Sequence, residues 1–173
     1  MIASGMIRKI DLLGRIVIPK EIRKSLKIES GDDIEMYIEN ESIILKKYQA
    51  MDNNAQLAKN YCNTIYDNLH INCFICSKEK IIASTYNSQE SIISDSLLKI
   101  IIKGDNVVLN DDETIPLMVD DNKTKYKSQC IAPINCMGDL YGGIIAINNK
   151  NNLSQSEIDF IYCASRLLCG QIS

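Results

Sequence analysis

The sequence predicts an α+β protein in two parts: a short N-terminal segment of β-hairpins that completes its core with a second copy, and a larger antiparallel sheet flanked by helices. Three observations carry this. Residues 1–50 hold paired β-like runs around one short helical pattern. The pattern changes at the polar segment Gln49-Ala50-Met51-Asp52-Asn53-Asn54. Beyond it, two amphipathic helical stretches bracket a set of strand-like runs. The expected domains are 1–50 and 54–173.

In the first domain, Gly5 to Asp11 and Ile16 to Ile18 flank Leu12-Leu13-Gly14-Arg15, where the glycine suits a turn. Pro19 stands where a helix can begin without losing a needed donor, and Ile22 and Leu26 then share one helical face. Gly31-Asp32 turns the chain into a second hairpin, Asp33 to Ile38 and Ser42 to Lys47, around Glu39-Asn40-Glu41. Fifty residues of this kind bury little surface alone, and a lone hairpin is marginal in water, so a homodimer is expected.

In the second domain, Ala55, Ala58, Tyr61, Cys62, Ile65, Tyr66 and Leu69 recur at helical spacing over Asn54 to His70. Ile71 to Ser77 and Lys80 to Thr85 read as a strand pair, Ser91 to Lys103 as a helix ended by Gly104, and Asn106 to Leu109 as a short strand. The acidic stretch Asn110 to Lys127, interrupted by Pro116, reads as loop. Gln129 to Ile134 and Leu140 to Ile147 form a hairpin, and Ser154-Gln155-Ser156-Glu157 matches a capping box that opens a final helix.

Composition removes whole classes of function. With 46% hydrophobic and 24% charged residues the chain is an ordinary folded protein, not a disordered one. Its apolar runs, such as Ile100-Ile101-Ile102, are far shorter than the roughly 20 residues of a bilayer span, so no membrane association is expected. The first residues lack the basic and apolar regions of a secretory signal, which predicts a cytoplasmic protein. Net charge is −3 overall, but it is unevenly placed. Residues 8 to 27 carry Arg8, Lys9, Arg15, Lys20, Arg23, Lys24 and Lys27 against Asp11 and Glu21, a net +5 in an otherwise acidic chain. Two copies of that stretch brought together by dimerisation make an electrostatic footprint for a polyanion. Because the first aromatic is Tyr37, the stretch has no stacking platform for single strands, and duplex DNA is the expected partner.

Other features carry bland readings. Seven cysteines without a dense even spacing predict reduced thiols, and Cys163 and Cys169 read as packing residues. Cys73 and Cys76 have metal-motif spacing, but on a strand they point to opposite faces and cannot converge on one ion, so no metal site is expected. Gly138 to Gly143 lacks the Lys-Ser/Thr ending of a phosphate loop and precedes a strand, and Asp111-Asp112-Glu113 with Asp120-Asp121 lacks calcium-loop spacing. A cysteine nucleophile at Cys73 with His70 as base has no third orienting group, so an enzyme is not expected.

The run from Met6 to Leu26 (MIRKIDLLGRIVIPKEIRKSL), together with Ile43-Ile44-Leu45-Lys46-Lys47-Tyr48, resembles the AbrB-type swapped-hairpin DNA-binding family over about 45 consecutive residues. The resemblance implies two chains interleaving their hairpins into one small barrel, with DNA contacts from Arg8, Lys9, Arg15, Arg23 and Lys24. Lys24 departs from a common arginine in the family and cannot make a bidentate fork. Ile131-Ala132-Pro133-Ile134 and Gly138-Asp139-Leu140-Tyr141-Gly142-Gly143-Ile144-Ile145-Ala146 are similar to a GAF domain. The combination resembles the SpoVT group of sporulation transcription regulators. That implies activation and repression of sporulation genes, a nucleoid-associated protein of the forespore, and a homotetramer formed through the helices flanking the GAF domain. No cofactor is identified and the GAF ligand is unknown. The alternative is an antitoxin-like protein-binding module, because antitoxins also use swapped-hairpin domains.

Overall fold

The computed structural model describes residues 6–48, 50–85, 91–120 and 125–172; Gly5, Gln49 and Asp121, used in the sequence reading, lie outside them. The chain divides into two compact units, Met1–Tyr48 and Gln49–Ser173.

In the first unit, the expected strands around Gly14 carry no ladder among the described residues, which corrects the first hairpin of the sequence reading. Among the described residues the backbone bonding here lies in the turn between them, Asp11 N–H donating to the Arg15 carbonyl at 3.0 Å and Gly14 N–H to the Asp11 carbonyl at 3.0 Å. The physical reason lies in the side chains. Ile7, Leu12 and Val17 are 90%, 106% and 76% exposed, so a single chain offers these strands no apolar face to pack on. Helix α1 (Lys20–Ser25) follows the buried Pro19. It ends where Lys27 takes a left-handed φ of 52° and Ile28 N–H bonds back to the Arg23 carbonyl at 2.8 Å, a closure usually given to glycine. Strands β1 (Ile34–Glu39) and β2 (Ser42–Lys47) pair antiparallel through Asn40 and Glu41, whose φ of 46° and 64° suit a tight two-residue hairpin turn. Met36, Ile38 and Ile43 on this hairpin are also exposed.

The second unit starts with α2 (Ala50–Asn53) and α3 (Ala55–Leu69), closed by His70 in a left-handed conformation. Strands β3 (Asn72–Cys76) and β4 (Ile81–Ser84) follow, then α4 (Asp95–Lys103), whose start is capped by the Ser94 hydroxyl accepting from Leu97 N–H. After β5 (Val107–Asn110) and a short 3-10 turn come β6 (Ser128–Cys136), β7 (Asp139–Asn148) and α5 (Gln155–Ile172). The five strands form one antiparallel sheet in the order β4-β3-β7-β6-β5.

Helices cover both faces, so the central strands read as nearly continuous apolar runs instead of alternating with polar residues. Cys73, Ile75, Cys130, Ala132, Ile134, Ile144 and Ala146 pack in the layer with residues of α3 and α5. Their immediate neighbours Phe74, Cys76, Ile131, Ile145 and Ile147 pack on the opposite side with Leu97 and Ile101 of α4. Gln129, fully buried on β6, donates to the Ile115 carbonyl at 2.6 Å and accepts from Ile115 N–H at 2.8 Å, which fastens the loop beyond the 3-10 turn to the sheet. Cys169 of α5 lies beside Cys136 at the end of β6, their Cα atoms 5.6 Å apart.

Candidate nucleic-acid interface

The basic residues of the first unit hang on a small, heavily bonded turn. Asp11 supplies most of the bonding. Its Oδ1 accepts from Leu13 N–H at 2.9 Å and Arg15 N–H at 2.8 Å, while Oδ2 accepts from Arg15 Nε at 2.7 Å. Gly14 occupies the position with φ of 76° that the turn requires. The hydrogen bonds from the Arg15 backbone and then from its guanidinium hold the Asp11 carboxyl below the ordinary aspartate value. The Arg15 side chain nevertheless stays 71% exposed, so its terminal nitrogens face solvent.

Arg8 and Lys9 stand on the exposed arm that leads into this turn, and the arm that leaves it carries the chain through Pro19 into α1. Arg23 and Lys24 occupy the last turn of α1, both exposed, where a cation also complements the helix terminus. Among the described residues, Arg15 is the one of these five that is held by a carboxylate. Lys47, another cation of this unit, is committed to structure. It bridges Asp32 Oδ2 at 3.0 Å and the Lys27 carbonyl at 3.0 Å, tying the loop after α1 to β2. Sequence reasoning entered Asp11 only as a charge. An aspartate three residues before a glycine and four before an arginine is the signal that could have marked it as the turn's organiser.

The features of the second unit are occupied by packing. Cys73 and Cys76 lie in different core layers, on opposite faces of the sheet. Burial pushes the Cys76 and Cys130 thiols up to about 12, which keeps them protonated and unreactive. Asp111 and Asp112 form ion pairs with Lys127 and Lys125. Gly142, with φ of 155°, lets β7 pass close to the end of β3. α3 and α5 touch through Tyr61 Oη and Gln171 Oε1 at 3.1 Å and leave Tyr66, Phe160 and Leu167 exposed.

A family model described as stage V sporulation protein T C-terminal, transcription factor, matches residues 53–173. A second, described as antidote-toxin recognition MazE, bacterial antitoxin, matches residues 7–52. Stage V sporulation protein T of Bacillus subtilis (strain 168) is 30% identical over 179 residues, covering 99% of both chains. The transition state regulatory protein AbrB of the same organism is 51% identical over 49 residues, which cover 28% of this chain and 51% of that protein. In fold, the second unit is similar to the GAF domain of PixJ from Thermosynechococcus elongatus, with a TM-score of 0.57 at 11% identity over 73% of this chain and 88% of that one.

Proposed function

Because the chain belongs to the stage V sporulation protein T family of transcription factors, we propose that it acts as a dimeric, sequence-specific regulator of sporulation genes, activating some promoters and repressing others. The observation that carries the reading is the +5 stretch of residues 8 to 27, presented on exposed arms, one turn and one short helix. Arg15 and Arg23 reach base edges, since a guanidinium pairs bidentately with guanine. Arg8, Lys9 and Lys24 set the register on phosphates. The exposed Ile7, Leu12, Val17 and Ile38 are covered by the second copy, whose arms supply the strand pairing that one chain lacks.

Residues 1–50 form the DNA-binding domain and 54–173 a GAF-like domain for oligomerisation and small-molecule sensing. On α5, Phe160, Cys163, Leu167 and Gly170 make an exposed stripe at alternating spacings of three and four, the pattern of a helix that packs on another helix. With Tyr66 of α3 it supports pairing of two dimers into a tetramer. The protein then works in the cytoplasm of the forespore, on the nucleoid.

A duplex titration over a salt series on promoter fragments tests the reading, with wild type beside Arg15→Ala and Arg23→Ala. Tight binding that weakens steeply with salt and is lost in both variants is the expected result. A folded oligomer that ignores duplex at low salt overturns it. The antitoxin resemblance of residues 7–52 favours a second reading, a protein-binding module, and copurification of a small protein on the second unit would select it.

A further inference from the structure

We propose that Asp11 is a positioning residue for DNA readout, holding the Arg15 guanidinium in the orientation that meets a base edge. The inference rests on the reading that Arg15 contacts DNA.

A carboxylate inside a basic stretch that faces a polyanion weakens general attraction to phosphates, so its position needs a compensating role. Its bonding supplies one. Oδ1 is engaged by the two backbone N–H groups of Leu13 and Arg15, which fixes the carboxylate plane relative to the turn. Among the described residues, Oδ2 then takes only the Nε of Arg15, at 2.7 Å. The two terminal nitrogens have no partner among the described residues, and they form the fork that matches the two acceptors of guanine. The Arg15 side chain is therefore exposed yet tethered at the start of its guanidinium, so less rotamer freedom is lost when it docks. A solvated arginine without this tether meets phosphate and base equally well. Asp11 thus exchanges general affinity for discrimination.

Asp11→Asn isolates the effect. The amide oxygen still accepts from Leu13 and Arg15 N–H and keeps the turn, while the amide nitrogen cannot accept from Arg15 Nε. The full-length protein is titrated with the promoter duplex that wild type binds most tightly and with a scrambled duplex of the same composition. Wild type, Asp11→Asn, Arg15→Ala and the double variant are compared, and oligomeric state and melting temperature are checked to match. The expected result is that the ratio of specific to scrambled affinity falls about tenfold in Asp11→Asn, the size of one good base contact. Affinity for the scrambled duplex is retained or raised, and adding Asp11→Asn to Arg15→Ala lowers the ratio no further. Discrimination within twofold of wild type in Asp11→Asn, while Arg15→Ala loses it, overturns the inference alone. A wild type without preference for its promoter, or an Arg15→Ala variant equal to it, removes the Arg15 contact and the inference with it.

Discussion

Gly142 of β7 passes so close to Cys76 of β3 that a Cβ placed on it would stand 1.8 Å from the Cys76 carbonyl oxygen. The same Cβ would be 2.8 Å from the carbonyl carbon, and the backbone φ of 155° is one that residues with a side chain rarely adopt. Relief would require β3 and β7, both central in the sheet, to move apart. Gly142→Ala is therefore expected to destabilise the protein by on the order of 2–4 kcal/mol and lower Tm by roughly 5–15 °C. Gly14 is the control: its φ is also positive, but nothing lies within 4 Å of its Cβ position, so Gly14→Ala should cost only the local backbone term, about 1–2 kcal/mol. Equal melting temperatures for the two variants would refute the steric account.

Much of this fold was legible in local chemistry. The Ser154 and Glu157 capping box forms as read, Glu157 Oε2 accepting from Ser154 N–H at 2.6 Å. Gly104 closes α4 with φ of 76°, and the second hairpin folds between the expected residues. Cys73 and Cys76 face opposite layers because the period of a strand is two, a rule that holds whatever surrounds it. The first hairpin forms no ladder among the described residues of the single chain, and hydrophobic alternation does not say which chain supplies a partner strand. The Cys136 and Cys169 pair, 33 residues apart, depends on how α5 lies against β6, which spacing does not encode. At the candidate interface the cations stood out by charge, whereas the role of Asp11 became visible only as geometry.

Gln129 is a fully buried polar side chain in an apolar sheet, and its amide serves both backbone groups of Ile115. Removing it leaves an N–H and a carbonyl without their partner in a part-buried position. Gln129→Ala should cost about 2–3 kcal/mol, while Gln129→Glu keeps an acceptor for Ile115 N–H and loses the donor. Hydrogen exchange checks this directly: protection of the Ile115 amide should collapse in the alanine variant and persist in part in the glutamate variant. Unchanged protection at Ile115 would mean that the loop is held by other contacts.

The Asp11 carboxyl titrates below the ordinary aspartate value because the Arg15 backbone and guanidinium bond its charged form. A carboxyl whose pKa is depressed by folding stabilises the turn fully above its unfolded value, and that contribution is lost as the pH falls through the lower, folded value. The turn should therefore stay intact at neutral pH and loosen only in acid. A carboxyl-detected NMR titration is expected to place Asp11 below the unperturbed aspartates, and Arg15→Ala to move its midpoint upward. A midpoint unaffected by Arg15→Ala would leave the backbone bonds as the sole cause.

The stripe of Phe160, Cys163, Leu167 and Gly170 lies opposite the face through which Ile158, Ile161, Ala164, Leu168 and Ile172 enter the core. Leu167 is 59% exposed within the chain, so replacing it disturbs no internal packing and should change the stability of the unit by at most about 0.5 kcal/mol. In a tetramer built on this stripe, each Leu167 buried against a neighbouring helix contributes about 1.5–3 kcal/mol, and a carboxylate there would be both desolvated and placed near its own copy. Leu167→Glu is accordingly expected to halve the mass measured by light scattering, leaving a dimer joined through the N-terminal units. Duplex binding by each dimer should persist, with weaker affinity for fragments long enough to engage both dimers of a tetramer. A wild type that already scatters as a dimer, or a Leu167→Glu variant that keeps the full mass, would place the assembly surface elsewhere.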